Sequence, residues 1–561
     1  MAIPTGLCWT RGKAVGTDPL KIFNIIYRFL FPAVVVAVGC IVVGAYDDAN
    51  TYMDQALRDC LVKYCDSRYR NEIINKYKST TVLVSSKFSY DYGIEYHNNT
   101  LTLKAKDKKT AEWLIDQYVR HLAYTDTHFT NCDLPPTIID FGKTVHKNFD
   151  FIYREPHFSP NLKERYQPFS GASSVEEYWD LWGHNLYKEL DIDTEKQQVI
   201  CFTNDIFYNK VVKFLEEKSR SLRTGRIIIM PMDTMSACTC TECQKIGNKN
   251  QYATPAVMNM MDKLKERFSK TKYTFYTAAY HSTQQPPQKP PKYRLSGLLL
   301  STSDLPKGIA LDPQNDLEKD FIKTVQAWNN YADTLYVWDY AANYNDFLTP
   351  LPILYVLKKN LKFFRDNGIS GVFLQGSGYD YSPFDDIKTF VATALMIDGQ
   401  LDVDDLCSRY FTQFYPVSAK MMTDYYLSLE KTMEQREKKY DLHGDMKDAI
   451  DSYFCADDFF RFYENLGIIL SENKMESNEK NRLEKLYSAL SFTWLQLELY
   501  RQTGSYDITK INGKTLSITP DIQTVISRLS AYEHHGFRKY KEKGEREIKD
   551  YLDFWSLFAE K

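Results

Sequence analysis

Four carboxylates in this 561-residue chain stand where an apolar run gives out. Glu155 follows "FDFIYR", Asp233 follows "RIIIMPM", Asp304 closes "LSGLLLSTSD" and Asp339 closes "TLYVWD". The stretch "YVWDYAANYNDFLTPLP", residues 336–352, then adds Tyr340, Asn343, Tyr344 and Asn345 within six positions. Paired carboxyl groups can divide acid and base work, one giving a proton while the other takes one or attacks. Trp338, Tyr340 and Tyr280 offer flat apolar faces, while His184, Asn185, Asp304, Gln375 and Glu155 offer hydrogen bonds. Together these types suit a polyhydroxylated ligand, whose hydroxyls need donors and acceptors and whose apolar face needs a ring to lie on.

The elements that must position these residues are legible as alternation. Apolar strand candidates recur at "FDFIYR", "DLWGHN", "QVICFTND", "RIIIMPMD", "YTFYTAAY", "LSGLLLSTSD", "TLYVWDY" and "ISGVFLQG", with helical stretches such as "NKVVKFLEEKSRSL", "AVMNMMDKLKERF" and "PILYVLKKNLKFFRDN" between most of them. Eight such units over about 250 residues predict an α/β fold, a (β/α)8 TIM-type barrel over 146–400. Barrel chemistry sits at the C-terminal strand ends. Those ends carry Arg154 and Glu155, His184 and Asn185, Asn204 and Asp205, Asp233, Tyr280 and His281, Asp304, Asp339 and Tyr340, and Gln375. Before the barrel, residues 47–145 read as a small α/β domain with strands at "TTVLVSS" and around Asn98-Asn99, and a helix at "KTAEWLIDQYVRHLAY". After it, residues 401–561 are helical in pattern, a C-terminal helical domain.

"WGHN", "MDTMSACTCTECQK", "YVWDYAANYNDFLTPLP" and "GISGVFLQG" occur in order and together resemble the bacterial family designated domain of unknown function 4838. The resemblance runs from about residue 150 to 430. It implies a barrel related to glycoside hydrolases such as α-glucuronidases and β-hexosaminidases, preceded by an α/β domain like theirs. Glycoside hydrolysis needs two carboxyl groups. By the same resemblance Asp233 is the expected acid, because it closes the fourth strand, where the related hydrolases carry theirs. Met230, Met232 and Met235 around it are expected to exclude water, and Asp339 is its expected partner across the mouth, with Asp304 and Glu155 in reserve. No cofactor is required for this chemistry. The expected ligand is an oligosaccharide or polysaccharide; the alternative is a barrel that binds glycan at the cell surface without cleaving it.

"CTCTEC" places Cys238, Cys240 and Cys243 just after Asp233. These thiols are expected either to hold a structural zinc, with His281 or another side chain as fourth ligand, or to form a disulfide within the loop or to Cys201 or Cys132. In both cases they brace the loop that carries Asp233. At the N-terminus, Phe29–Tyr46 is an uncharged run of eighteen residues preceded by Arg11, Lys13, Lys21 and Arg28. The charge asymmetry predicts a cytoplasmic start at 1–46 with its membrane anchor, and an exported, membrane-tethered remainder, held by an uncleaved helix or by a lipidated Cys40. A net charge of −3 offers no polyanion-binding surface, so nucleic acid is not an expected partner.

Overall fold

The structure, a computed structural model, describes residues 80–559 apart from 98–99, 126–134, 163–170, 194–198, 219–222, 473, 507, 509–510, 512–515 and 543–546. The expected anchor, Cys40 and Cys132 lie outside the described residues. Among the described residues no helix is long and apolar enough to cross a membrane.

A small mixed sheet comes first. Its strands are β1 (Thr80–Val84), β2 (Tyr92–His97), β3 (Thr100–Ala105) and β4 (Val145–Lys147), in the order β1-β3-β2-β4. The helix Lys108–Thr125 carries Ala111, Leu114, Ile115, Tyr118 and Leu122 at helical spacing, and all five are buried in the core that this sheet shares.

The second sheet is entirely parallel. It runs β5 (Tyr153–His157), β10 (Gly371–Gln375), β9 (Leu335–Tyr340), β8 (Gly297–Ser301), β7 (Thr274–Ala279) and β6 (Arg226–Ile228). Helices Thr254–Arg267, Asp316–Trp328 and Leu354–Asp366 connect successive strands. The expected eight-stranded ring is, among the described residues, a curled half-barrel of six strands. "DLWGHN" contributes one parallel bridge, Leu181 to Ile227. Its extension stops on both sides: Asp180 turns its carboxylate onto the N–H groups of Arg223, Thr224 and Gly225, and Gly183 takes a left-handed φ of 55°. "QVICFTND" forms no strand in its described part, because Asn204 already caps the helix Asp205–Lys218, accepting from the N–H groups of Ile206 and Phe207 at 2.8 and 3.1 Å.

Beyond β10 the chain is helical, and part of it returns to the strand ends. Tyr344 N–H donates to the Leu442 carbonyl at 2.7 Å, Phe347 N–H to the Tyr540 carbonyl at 2.7 Å, and Glu542 N–H to the Tyr344 carbonyl at 2.9 Å. The segment after β9 is thereby stitched to residues a hundred and two hundred positions downstream.

Inside the curl, rings from both edges meet. Tyr153 on β5 lies 5.8 Å from Trp179 and 5.7 Å from Tyr336, and Trp179 lies 4.8 Å from Tyr276 on β7. Two strand glycines make room for them. A Cβ on Gly371 would stand 2.5 Å from Tyr336 Cδ1 and 2.7 Å from Tyr153 Cβ; one on Gly297 would stand 2.6 Å from Tyr276 Cε1. Gly371→Ala should therefore destabilise the protein by about 1–3 kcal/mol, the usual cost of overpacking. Chemical denaturation checks this, and an unchanged midpoint would show that the rings yield.

Candidate active site

Strand alternation sorts the candidate residues onto two faces. On β9, Tyr336 packs in the ring-filled interior with Trp338 beside it, whereas Leu335 and Val337 pack beneath the helices. Trp338 and Tyr340 thus share the inner face, and Asp339 points the other way. Its register partner Leu374 is a helix-side residue, while Trp338 pairs with Phe373 of the interior.

Asp339, the partner that the sequence suggested for Asp233, is accordingly engaged on the other face of the strand. Its Oδ1 accepts from Lys307 Nζ at 2.8 Å and from Thr302 Oγ1 at 2.5 Å. Both side chains of the Lys307–Asp339 pair are 9% exposed. Lys307 also donates to the Thr302 carbonyl at 3.0 Å and sits 5.4 Å from the Tyr340 ring centre. Through Oδ1 the carboxylate fastens the segment after β8 to β9.

The mouth itself gathers Asp233, Tyr280, His281, His184, Asp304 and Tyr340. Tyr280 Oη donates to Asp233 Oδ1 at 2.7 Å, and His281 Nε2 lies 3.2 Å from the same oxygen. His281 holds a left-handed φ of 48°, a costly conformation for a residue with a Cβ, and its ring lies tilted by 31° against that of Tyr280, with centres 3.7 Å apart. The expected methionine ring is absent: Met230 and Met232 are buried in the core, Met235 is exposed, and the Asp233 side chain is 61% exposed. Burial lowers the His184 pKa, against the pull of Asp233 and with the push of His281. Asn185 is exposed at the head of the short helix Asn185–Glu189. Asp304 is exposed and accepts from Gln284 Nε2 at 3.3 Å. Burial pushes the Tyr340 hydroxyl up to about 12, and the charges of Asp339, Asp233 and Asp304 add to it; its oxygen lies 3.2 Å from Ser301 Oγ. For Tyr280, burial raises the pKa first, then Asp233, Tyr340 and Asp304. Two exposed carboxylates therefore act on the same two tyrosines.

An aromatic wall stands beside them. Trp182 stacks on Trp338 with centres 5.1 Å apart and planes 20° apart, and Phe373 lies 4.7 Å from each. Gln375 Oε1 accepts from Trp338 Nε1 at 2.6 Å and so fixes the ring. Trp182 escaped the sequence reading, although it stands inside the quoted "WGHN". Glu155 lies on the β5 inner face but is fully buried; Asn161 Nδ2 and His157 Nδ1 approach its Oε1 at 3.4 and 3.2 Å. Burial raises the Glu155 pKa well above the carboxylate range, and burial lowers that of His157 to about 4. Burial thus disfavours the charged form of both partners.

Past Asp233, the three cysteines of "CTCTEC" are joined by Cys201, and all four sulfurs lie within 4.8 Å of one another. His281, the residue named as a fourth ligand, is engaged with Asp233 instead.

Two outcomes follow from these burials. Asp339→Ala leaves Lys307 buried without its counterion and should cost about 3–5 kcal/mol, much of which the double change Asp339→Leu with Lys307→Met restores; a single-variant loss below about 1 kcal/mol would contradict the pairing. Glu155 binds its proton more tightly folded than unfolded, so above the ordinary carboxylate range the unfolded state holds fewer protons and stability falls as pH rises. Glu155→Gln removes this penalty. The variant's unfolding free energy should gain on the wild type over the pH range above the ordinary carboxylate pKa, at up to about 1.4 kcal/mol per pH unit. A difference that stays flat across that range would show that Glu155 ionises in place.

Comparison with known proteins now places this architecture. No curated protein matches the sequence. Among solved structures, a family 89 glycoside hydrolase from Clostridium perfringens, in complex with its substrate GlcNAc-alpha-1,4-galactose, is similar at TM-score 0.51 and 10% identity, over 87% of this chain and 66% of that one. The chain thus spans just under two thirds of that enzyme's length. A GH138 enzyme targeting pectin rhamnogalacturonan II matches at TM-score 0.39 and 9% identity, over 86% of this chain and 72% of its own. At 10% identity the likeness to the family 89 enzyme is one of fold. The family model described as "Domain of unknown function (DUF4838)" matches residues 140–428, more than half of the chain, and the protein belongs to that family.

Proposed function

We propose that the protein is a glycoside hydrolase acting on a complex glycan, with Asp233 and Asp304 as its two carboxyl groups. The observation that carries this reading is that both are exposed past the strand ends and both are held by the segment after β7, Asp233 by Tyr280 at 2.7 Å and Asp304 by Gln284 at 3.3 Å, with the Trp182–Trp338 stack beside the mouth. Hydrolysis of a glycosidic bond asks for that set: one carboxyl to protonate the leaving oxygen, a second to activate water or attack, and rings to carry the sugar. Tyr280 and His281 fix the orientation of Asp233 through hydrogen-bonding contacts at 2.7 and 3.2 Å. Asp339 takes a positioning role, holding Lys307 under Tyr340. The likeness in fold to the Clostridium perfringens enzyme, whose structure contains a disaccharide substrate, supports a sugar ligand here. The apolar run Phe29–Tyr46 and its flanking charges support an exported, membrane-tethered placement.

The test is a panel of aryl glycosides and plant and bacterial polysaccharides, given to the full chain with release of phenol or reducing ends as readout. Asp233→Asn and Asp304→Asn should each lower kcat by about 10²–10⁴-fold. Quenching of tryptophan fluorescence by the bound glycan should persist in both variants. Turnover that survives both substitutions would discard this pair of carboxyls. A wild type that binds glycan but cleaves nothing would make the protein a surface glycan-binding member of its family.

A further inference from the structure

We infer that Cys201, Cys238, Cys240 and Cys243 form a tetrathiolate site for one structural zinc ion. The sulfurs come from two segments far apart in sequence, the one leading into the helix Asp205–Lys218 and the turn that follows β6. Cys201 Sγ lies 3.7 Å from both Cys240 Sγ and Cys243 Sγ, and all four sulfurs fall within 4.8 Å of one another. Zinc held tetrahedrally at a Zn–S distance of about 2.3 Å sets neighbouring sulfurs roughly 3.8 Å apart, so these two edges already have the length the ion requires. A disulfide needs sulfurs about 2.05 Å apart and would use only two of the four.

The surroundings agree with metal ligation better than with packing. Cysteines that merely fill a core are buried, yet Cys240 is exposed and Cys201 and Cys238 are half-buried, leaving an entry path; only Cys243 is fully enclosed. Thr203 Oγ1 stands 3.1 Å from Cys243 Sγ and 3.2 Å from Cys201 Sγ, a hydroxyl able to donate to thiolates around an ion. Asn248 anchors the turn from below, donating to the Cys238 carbonyl at 3.1 Å and accepting from Ala256 N–H at 3.0 Å. Four soft sulfurs in a tetrahedral set favour zinc over the oxygen-seeking divalent cations. The location gives the ion a task. Cys201 belongs to "QVICFTND", which pairs with no strand in its described part, and the metal cross-links it to the segment after β6 where a β-ladder would otherwise do so.

The inference is independent of any catalytic activity, and the experiment reads the metal directly. The full chain, purified without chelator, should carry about one equivalent of zinc by inductively coupled plasma mass spectrometry. Replacement by Co²⁺ should give the visible bands of tetrahedral cobalt with strong sulfur-to-cobalt charge transfer. Cys201→Ser and Cys240→Ser should each weaken zinc retention against a competing chelator by about 100-fold or more, beyond the loss typical of an outer-shell contact. Four titratable free thiols in folded metal-free protein, a disulfide among the four, or iron in place of zinc would each overturn the assignment. Should the variants not fold, the cobalt spectrum of the wild type decides alone: bands without the intensity of four thiolates refute the site.

Discussion

Everything at the strand ends rests on how the inside of the sheet is filled. Tyr153, Trp179, Tyr276 and Tyr336 occupy the curl, and the chain concedes side chains at Gly297 and Gly371 to admit them. Rings fill space at little conformational cost, and the Tyr336 hydroxyl keeps a partner in Tyr178 at 3.2 Å. These four rings are buried, and the part of the inner face that is left partly open lies at the strand ends. The next layer up, Trp182, Trp338 and Phe373, is then both the roof of the core and the floor of the mouth. Packing and recognition share the same rings.

Much of this architecture is legible in the sequence because it is periodic. Apolar runs at "TFYTAA", "GLLLS", "LYVWDY" and "GVFLQ" become β7 to β10, since each is β-rich, short and bounded by turn residues. The helix Lys108–Thr125 buries the stripe that its spacing announces. Strand alternation also contained the answer for Asp339. Neighbours in a strand face opposite ways, so a carboxylate between Trp338 and Tyr340 does not share their face. Its partner Lys307 lies 32 positions away, with no local signal to mark it. The family resemblance, by contrast, rested on whole motifs and spans the matched region.

Three other features depend on contacts that no local reading weighs. "DLWGHN" and "QVICFTND" have strand composition, but Asp180, Gly183 and Asn204 divert their backbones into turns and a helix cap. Composition does not weigh a side chain's hydrogen bonds to nearby N–H groups against a ladder. Cys201 likewise carries no spacing that ties it to Cys240, 39 residues on, and only the folded chain brings their sulfurs to 3.7 Å. The buried state of Glu155 depends on Asn161 and His157 and on the surrounding core, none of which a strand-end rule weighs.

The stitching of Tyr344 and Phe347 to Leu442 and Tyr540 has a temporal meaning. A chain grows from its N-terminus, and segments with only local partners can fold as they emerge. The segment after β9 is not such a segment: its backbone bonds are completed by the Leu442 and Tyr540 carbonyls and by Glu542 N–H. For some two hundred residues of synthesis it waits, with Ala342, Tyr344 and Phe347 lacking the cover they have in the finished molecule. The segment that follows Tyr340 is therefore completed late, and a chain released before residue 540 lacks the backbone partners of Tyr344 and Phe347.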